Sequence, residues 1–583
     1  MNTKRWKILN NKFRNKQSLS LRDQNSEFRI DQIIKALLEN RGIKTKKERE
    51  EFLNPKLENV TPSSVSIDAK QLRKALKRIQ RAVKNKEQIV IFGDYDVDGI
   101  CGSAILWETL NALGAKVLPY IPHRIEEGYG LSIAAISKIK KQISKIGDAR
   151  LIITVDNGIV ANKAVEYANE QKIDVIITDH HVPPAGGSKK LPNAHAIVHT
   201  TKLCGAGVAW ALAQEFKIQN SKFKIKEDKH LELVALATVA DLVPLTGPNR
   251  TLLKFGLERI RTTKRVGLLE LFAEAGIEQS SIDAYTIGHI IAPRLNAMGR
   301  IEHAMDSLRL LCTKDKARAR KLAHLLGSTN RERQQITEET VLHAKSKVIH
   351  STSSGQKSKV GNLLFIAHES YQQGVIGLVA GKLVEEFYRP SIVVSVGDKY
   401  SKASARSVAG FNIIEFIRSA SEFLVDAGGH PMAAGFTVET EKLAVLQQTL
   451  EERASKLLNG ELLTRTLRVD CELPLLIISE GLYDALQKLA PFGMKNPEPT
   501  FVARNVIIED LKTVGNDGRH LKLKLNQELR IMNQGFDAIA FGMGERASEF
   551  HITDRVDIVY TIDEDRWNGN EKLQLKIKDL KKS

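Results

Sequence analysis

The stretch IVIFGDYDVDG at residues 89–99 carries the strongest indication of the fold class of this chain. It is an apolar run rich in β-branched residues, followed by a glycine and by the aspartates Asp94, Asp96 and Asp98. A short continuous run of this kind favours a strand that is buried on both faces. Strands buried in this way belong to parallel sheets that helices cover on either side. The stretch therefore predicts a parallel α/β sheet with carboxylates at the carboxyl end of one strand.

Three further segments repeat this design of an apolar run that ends in acidic or histidine residues. They are LIITVDNG at 151–158, VIITDHH at 175–181 and ELVALATVADLVPL at 232–245, the last of which predicts a helix. Their polar residues are Asp156, Asp179, His180, His181 and Asp241. Ligands of open parallel sheets bind beyond the carboxyl ends of the strands. We therefore expect the polar residues of the strand segments to line one crevice.

Helices and apolar runs alternate around these segments and predict a doubly wound sheet. The predicted strands are Gln88–Phe92, Val117–Ile121, Leu151–Val155, Val175–Thr178 and Ala196–Val198. Before them, residues 1–70 have a basic, helical pattern, with helices over Asp31–Asn40 and Thr45–Phe52 and with Thr45 as an N-cap. We expect these residues to form a helical N-terminal region.

The pattern changes again after the sheet. A long charged helix at 310–347 predicts a connector, a polar loop follows at 351–359, and a second α/β segment has predicted strands at Leu363–Ala367 and Ser391–Val396. Glycine-rich loops are expected near 374–381 and 428–435. Six short apolar runs then predict a small barrel or sandwich. These runs are Leu467–Cys471, Phe501–Ile508, His520–Leu525, Asp537–Phe541, Val556–Ile562 and Leu573–Ile577.

Composition narrows the class of protein. The chain has 583 residues, of which 42% are apolar, so wholesale disorder is excluded and several domains are expected. The net charge of +18 favours a polyanionic partner such as nucleic acid. No run is long and apolar enough to predict a transmembrane helix, and no secretory leader is expected. The four cysteines lack CxxC spacing, which disfavours a zinc site and fits a reducing cytosol.

Clustered carboxylates with imidazole favour Mg²⁺ or Mn²⁺. Two such metals about 3.5–4 Å apart would support phosphodiester hydrolysis. Two alternatives fit the first stretch alone. An EF-hand loop that starts at Asp94 would need Glu at its twelfth position, which is Ile105. An aspartyl-nucleophile phosphatase would have threonine where Ile100 stands and gives the DHH segment no role. The combination of four segments therefore favours a metal-dependent phosphodiesterase.

Together the motifs DYDVDG, VDNG, TDHH and ATVADLVPL resemble those of the DHH phosphoesterase superfamily. Further stretches make the chain similar to the RecJ family of single-strand-specific 5′→3′ DNA exonucleases within it. These stretches are KRWKI, LLENRGI, FLNPKL, IPHRIEEGYGL, IAPRLNAMGRI, KASARS, DAGGHPMAAGF, LAPFGMKNPEP and LQLKIKDL, and the resemblance spans nearly the whole chain. It implies a DHH domain at 71–265, a helical connector at 266–350, a DHH-associated domain at 351–460 and an OB-like domain at 461–583, after the N-terminal region at 1–70.

The resemblance also implies roles for individual residues. Asp96, Asp98, Asp156, His180 and Asp241 match the ligands of a two-metal Mn²⁺ or Mg²⁺ site, and His181 matches a neighbouring catalytic histidine. Phe92 replaces a histidine found in small superfamily members, which leaves one metal site short of a ligand. Phosphate or DNA binding is expected from Arg124, Arg294, Arg300, Ser404, Arg406, Gly428, Gly429 and His430. Arginine suits this role because its planar fork binds phosphate through two hydrogen bonds.

The resemblance implies a metal-dependent exonuclease that releases mononucleotides from the 5′ end of single-stranded DNA, in recombinational repair, mismatch repair and processing of stalled forks. Two alternatives stay open: a DHH phosphodiesterase for short RNA or cyclic dinucleotides, and a catalytically inactive replication scaffold. By resemblance we also expect a single-strand-binding protein and a RecQ-type helicase as partners, a monomeric state, a location in the bacterial cytoplasm and no membrane partner.

Overall fold

The computed structural model describes residues 4–10, 26–124, 126–143, 149–184, 190–218, 230–350, 360–527, 535–565 and 572–583. The polar loop predicted at 351–359 lies outside these residues. The chain divides into two compact units, one formed by residues 1–55 with 464–583 and the other by residues 56–463. The domain limits predicted above divide the chain more finely and stay predictions.

The strands within the described residues are β1 (Arg5–Asn10), β2 (Gln88–Phe92), β3 (Val117–Tyr120), β4 (Ala149–Val155), β5 (Asp174–Asp179), β6 (Ala196–His199), β7 (Leu364–His368), β8 (Ser391–Ser395), β9 (Tyr400–Arg406), β10 (Leu424–His430), β11 (Ala433–Glu439), β12 (Thr466–Glu472), β13 (Phe501–Val514), β14 (His520–Asn526), β15 (Phe536–Ala540), β16 (Arg555–Asp565) and β17 (Lys572–Lys582).

The α-helices there are α1 (Ser26–Asn40), α2 (Lys46–Leu53), α3 (Ala69–Lys84), α4 (Val97–Ala112), α5 (Ile133–Ile143), α6 (Asn162–Glu170), α7 (Gly205–Ile218), α8 (Leu231–Ala240), α9 (Gly247–Arg261), α10 (Val266–Ala275), α11 (Ala284–Thr286), α12 (Ala292–Ile301), α13 (Met305–Cys312), α14 (Lys316–His350), α15 (Ile376–Phe387), α16 (Ile413–Arg418), α17 (Leu443–Leu457) and α18 (Glu480–Gln487). A π-helical turn, Ile287–Ile291, joins α11 to α12.

The five predicted strands of the first sheet are present. All pair in parallel, in the order β3-β2-β4-β5-β6. Both faces are covered: α4, α7 and α8 lie on one, and α5 and α6 pack against Val90 and Ile152 on the other. From β2 the chain runs outward to β3 and then crosses to β4 on the opposite side. The carboxyl ends of β2 and β4 therefore flank the point where strand order reverses, which is where open α/β sheets bind ligands.

The second sheet belongs to the same unit. Its order is β10-β11-β9-β8-β7, with β7 parallel to β8 and the other pairs antiparallel. The long helix α14 leads to this sheet and starts after a separate helix, α13. The glycine-rich stretches differ from their prediction as loops. Most of the stretch at 374–381 lies in α15. The stretch at 428–435 forms the hairpin of β10 and β11, in which Gly428 lies opposite Gly435.

In the other unit, β13, β14, β15, β17 and β16 form a ring closed by pairing of β16 with β13. This is the predicted small barrel. Its interior includes Phe501 and Tyr560, and Ile33 and Leu37 of α1 belong to the same core. The two predicted N-terminal helices are present, and Thr45 caps α2 through a capping box with Glu48.

The helical prediction for residues 1–70 is wrong for Arg5–Asn10, which form β1. This strand pairs in parallel with β12. The pairing partner lies more than 450 residues away in the chain, with Arg5 opposite Thr466. Local sequence carries no signal for such a partner, and strand formation here depends on the tertiary contact.

Candidate active site

The loop after β2 holds its carboxylates in fixed orientations. The side chain of Asp96 caps α4 by accepting hydrogen bonds from the backbone N–H groups of Asp98 (3.0 Å) and Gly99 (3.1 Å). The buried Asp98 accepts hydrogen bonds from the backbone N–H groups of Gly205 and Ala206, both at 2.6 Å. These bonds tie the start of α4 to the start of α7. The loop therefore presents its aspartates in a preformed arrangement.

The other predicted ligands converge on this loop. Nε2 of His180 lies 3.1 Å from Asp156 Oδ1, 3.7 Å from Asp98 Oδ2 and 3.5 Å from Asp241 Oδ2. Asp156 follows β4 with a positive φ of 63°, and Asp241 caps the carboxyl end of α8. Four segments distant in sequence thus deliver their side chains to one point, at the edge of the sheet where the sequence predicts the crevice.

Potential metal-binding groups overlap within this cluster. Their ligand atoms lie within 4.8 Å of one another in the sets Asp98–His180–Asp241, Asp156–His180–His181 and Asp94–Asp96–Asp156. Asp94, which the resemblance does not place among the metal ligands, contributes its carboxylate to the last of these sets. The cluster therefore offers donors for more than one cation.

The electrostatics of the cluster favour a bound cation. Burial, together with repulsion between neighbouring carboxylates, raises the pKa of Asp98, Asp156 and Asp94 and brings that of Asp241 to about 9. Burial lowers the pKa of His180, which leaves its imidazole neutral, the form that binds metal. A divalent cation would remove the repulsion and let the carboxylates ionise.

Unsatisfied polar atoms support the same conclusion. Among the described residues, Asp94 Oδ1, Asp156 Oδ1 and His180 Nε2 are buried without a hydrogen-bond partner. Buried polar atoms nearly always have partners, so three orphans in one cluster point to a missing ligand. Oxygen and imidazole donors suit Mn²⁺ or Mg²⁺. The residues present therefore fit the metals that the sequence predicts.

His181 lies beside the cluster and has different partners. Its Nδ1 contacts Asp179 Oδ1 at 2.8 Å, and its Nε2 lies 3.2 Å from the hydroxyl of Tyr129. Burial works against protonation, but the hydrogen bond with Asp179 raises the pKa of His181 above its ordinary value. Tyr129 donates a hydrogen bond to the backbone carbonyl of Asp156 at 3.1 Å. His181 is therefore oriented next to the predicted ligands as a group that can hold a proton.

Arginines gather on the other side of the loop. The Arg124 guanidinium lies 4.9 Å from the ring centre of Tyr95, and Arg300 donates to the carbonyl of Gly374 at 3.2 Å. Burial, followed by the charges of Arg124, Arg333 and Arg406, lowers the pKa of Arg300 to about 10. Such mutual repulsion would be relieved by an anion. The cluster therefore has the electrostatic character of a phosphate-binding site.

Ser404 and Arg406 extend this arginine cluster. Arg406 donates to Ser404 Oγ at 3.2 Å, and a Cβ atom on Gly377 would lie 2.9 Å from that oxygen. The first turn of α15 therefore approaches the pair closely, which adds backbone N–H groups to the guanidinium. Ser404 also lies opposite Gly435, which in turn lies opposite Gly428. Strand pairing thus places the glycine-rich hairpin of β10 and β11 next to the strand that carries Ser404 and Arg406.

The remaining predicted DNA-binding residues are placed differently. Gly428, Gly429 and His430 are exposed on the edge strand β10. His430 lies opposite Ala433 of β11, and Ala433 in turn lies opposite Arg406 of β9. Arg294 donates to the carbonyl of Ile290 at 2.8 Å and adds to the repulsion on Arg333. Arg294 therefore joins the arginine cluster only through Arg333.

Sequence reasoning missed two residues of this region. Arg333 lies on α14, a helix that the sequence presents as a solvated connector, so no local signal marked it. Gly205 starts α7, and a Cβ there would lie 2.6 Å from the Cβ of Asp156. A larger residue at this position would clash with Asp156. Glycine therefore allows the backbone N–H group of residue 205 to reach Asp98. No motif in the sequence indicates this contact.

Comparison with family models covers three parts of the chain. The model described as the DHH family N-terminal domain matches residues 88–238, the DHHA1 domain matches 358–456, and the RecJ OB domain matches 469–579.

Of the described residues, no helix combines the length and apolar character that spanning a membrane requires.

Similar proteins and structures are found over most of the chain. The single-stranded-DNA-specific exonuclease RecJ of Bacillus subtilis is 35% identical over 95% of this chain and 68% of its own. The protein of the same description from Escherichia coli is 29% identical over 97% and 99%. The crystal structure of RecJ in complex with Mn²⁺ from Thermus thermophilus has a TM-score of 0.76 at 28% identity, over 94% of this chain and 76% of its own, and its Mg²⁺ complex has a TM-score of 0.71 at 28% identity, over 94% and 74%.

Proposed function

The chain belongs to the RecJ family of single-stranded-DNA-specific exonucleases, and we propose that it releases mononucleotides from the 5′ end of single-stranded DNA in a metal-dependent reaction. The observation that carries this proposal is the convergence of Asp98, Asp156 and Asp241 on His180 at the switch point of the parallel sheet. The predicted parallel-sheet domain, the second α/β domain after a long helix and the OB-like barrel are all present.

We assign the metal ligands to Asp96, Asp98, Asp156, His180 and Asp241, with Mn²⁺ or Mg²⁺ as the ions. Bound metal would supply Lewis-acid activation of water and neutralise charge on the scissile phosphate. Homologous structures contain each of these ions, which supports the choice. His181, held by Asp179, is positioned to donate a proton or hydrogen bond to the phosphate or to the departing oxygen.

The arginine cluster supports binding of a terminal phosphate. Arg124, Arg300 and Arg406 lie close to the metal cluster, since the charges of Arg124, Arg406 and Asp96 all shift the pKa of Arg300. A terminal phosphate carries more negative charge than an internal one and would be favoured there. A 5′-terminal phosphate held by these arginines would place the first phosphodiester bond toward the carboxylates, which accounts for release of single nucleotides.

The barrel supports a long, flexible substrate. Lys522 and Lys524 project from the outer face of β14, while Leu521, Leu523 and Leu525 fill the interior. An OB-like barrel with a basic face guides single strands mainly through charge to the backbone. As finer parts of the proposal, we assign the protein to recombinational repair, mismatch repair and stalled-fork processing in the bacterial cytoplasm, as a monomer working with a single-strand-binding protein and a RecQ-type helicase.

The test is a cleavage assay with purified protein and single-stranded DNA labelled at its 5′ end. With Mn²⁺ we expect the label to appear at once as mononucleotide, whereas label at the 3′ end should stay in shortening strands. EDTA should stop both reactions. A duplex with blunt ends and a dinucleotide serve as comparison substrates, and both should react more slowly.

The variant Asp98→Ala distinguishes this reaction from a contaminating nuclease. It should abolish cleavage and leave single-strand binding largely intact, since the arginine cluster and the barrel are untouched. Full activity in Asp98→Ala would refute the assignment of the site. Faster cleavage of the dinucleotide than of long strands would instead favour a phosphodiesterase of short substrates.

A further inference from the structure

An exposed pair of stacked aromatic rings lies outside the metal and arginine clusters. The rings of Tyr285 and His289 have centroids 4.2 Å apart and planes only 17° from parallel. Tyr285 is 65% exposed, and His289 is also exposed. His289 Nδ1–H donates to the backbone carbonyl of Tyr285 at 3.1 Å, which fixes the imidazole against the phenol ring. The pair is thus held in a stacked arrangement with a large part of the tyrosine open to solvent.

The turn that carries the pair packs against α8, the helix that ends at Asp241. Ile287 and Ile291 of the π-helical turn are buried in the core, and Gly288 between them faces α8. A Cβ on Gly288 would lie 3.4 Å from Cγ1 of Val239, two residues before Asp241. The turn therefore packs against the end of α8 that delivers Asp241. Single π-helical turns are rare and are found frequently at functional sites.

The surface around the end of α8 is also apolar. Leu242, which follows Asp241, is 65% exposed and has a positive φ of 57°. A single exposed apolar residue needs no explanation, but an exposed pair of stacked rings on a turn that packs against α8 offers a flat face for an unpaired base. A strand whose phosphates are held at the arginine and metal clusters has unpaired bases that must contact the nearby protein surface. Aromatic rings accept any base because every base has a π face.

We propose that Tyr285 and His289 form a stacking platform for one base of the single-stranded substrate, close to the metal centre. This inference rests on the proposed function and adds a position at which the enzyme holds a base rather than the backbone. Because stacking contributes without hydrogen-bond readout, the platform would bind all four bases with similar affinity. It would also favour single strands, since bases inside a duplex have no free face.

The test uses full-length protein, EDTA to prevent cleavage, and 5′-phosphorylated single-stranded DNA carrying 2-aminopurine at one position after another from the 5′ end. Stacking on an aromatic ring quenches this fluorophore. We expect strong quenching at one position, which Tyr285→Ala should abolish and Tyr285→Phe should retain. Affinity should fall about tenfold in Tyr285→Ala, within the range for a single stacked base. His289→Ala should give a smaller loss of the same kind.

The matched control is Tyr400→Ala, which removes another exposed tyrosine of the same unit and should change neither quenching nor affinity. Thermal unfolding checks that each variant folds, and Tyr285 is exposed enough for its removal to leave stability unchanged. Unaltered quenching and affinity in Tyr285→Ala would overturn the platform while leaving the proposed function in place. Failure of the unmodified protein to bind single-stranded DNA at all would overturn both.

Discussion

At the scale of single residues, Asp241 differs from Asp96 and Asp98 because none of its described side-chain contacts holds the backbone. Asp96 caps α4 and Asp98 accepts two backbone N–H groups, but the described contacts of the Asp241 side chain are with the cluster alone. Burial and repulsion from Asp98 and Asp96 raise its pKa to about 9, so its negative charge is unfavourable without metal.

We therefore expect Asp241→Asn to keep or increase the free energy of unfolding of metal-free protein while lowering cleavage at least about a hundredfold. Urea unfolding in EDTA measures the first effect, and the rate of mononucleotide release in Mn²⁺ measures the second. Asp398→Asn, which changes an exposed aspartate of the same unit, should affect neither. Loss of stability on the same scale as loss of activity would show that Asp241 has a structural role instead.

A second prediction at this scale concerns recognition of the strand end. Burial, with added repulsion from Arg124, lowers the pKa of Arg406, so an anion at this position is favoured. Arg406→Gln should reduce the preference for a 5′-phosphate over a 5′-hydroxyl about tenfold, the worth of one charge-assisted hydrogen bond. Binding of the two oligonucleotides in EDTA measures the ratio. Arg418→Gln, at an exposed position on α16, should preserve it, and an unchanged ratio in Arg406→Gln would place the phosphate site elsewhere.

At the scale of elements, a partly buried ionic network joins the helices that carry the metal ligands. Glu108 of α4 contacts Arg265 at 2.6 Å and His230 at 2.8 Å, at the starts of α10 and α8 respectively. Burial opposes ionisation, yet hydrogen bonds from His230 and Arg265 bring the pKa of Glu108 to about 2. The network fixes α4, which carries Asp98, relative to α8, which leads to Asp241.

We expect Glu108→Gln to lower the free energy of unfolding at pH 7 by about 2 kcal/mol, because Arg265 would lose the nearer of its two carboxylate partners and keep only Glu232, at 3.1 Å. Urea unfolding measures the change, and Glu415→Gln in an exposed pair should cost under about 1 kcal/mol. The folded pKa of Glu108 lies below the ordinary carboxyl value, so its contribution is complete above about pH 4.5 and declines as pH falls toward 2. A constant difference between wild type and variant from pH 7 to pH 3 would contradict this account.

At the scale of the whole molecule, local pattern predicted most elements and the metal cluster. The apolar runs before Asp94, Asp156 and Asp179 form neighbouring parallel strands, so their carboxyl ends had to meet. Contacts between segments that are distant in the sequence could not be predicted from local pattern. Pairing of β1 with β12, the N–H groups of Gly205 on Asp98 and the approach of Arg333 to Arg300 depend on packing, which no local periodicity encodes.

The outer face of the barrel carries two lysines that lie opposite each other on neighbouring strands. Lys512 of β13 lies directly opposite Lys522 of β14, whereas Lys524 on the same strand lies opposite Asp510 of β13 and Asp537 of β15. Like charges placed opposite each other across two strands destabilise the pair unless an anion lies between them. A bound strand of DNA would supply that anion, and each phosphate contact made by a lysine would release counterions from it.

We therefore expect Lys522→Gln to weaken binding to single strands of every sequence by a similar factor and to lower the slope of log affinity against log salt by about 0.7. Titrations of full-length protein with oligonucleotides at several salt concentrations in EDTA measure the slope. Removing one charge of the Lys512–Lys522 pair should also raise the free energy of unfolding slightly, which separates lost DNA contact from lost structure. Lys456→Gln, on an exposed face of α17, should leave the slope unchanged. Equal slopes for Lys522→Gln and wild type would exclude this face of the barrel from the path of the strand.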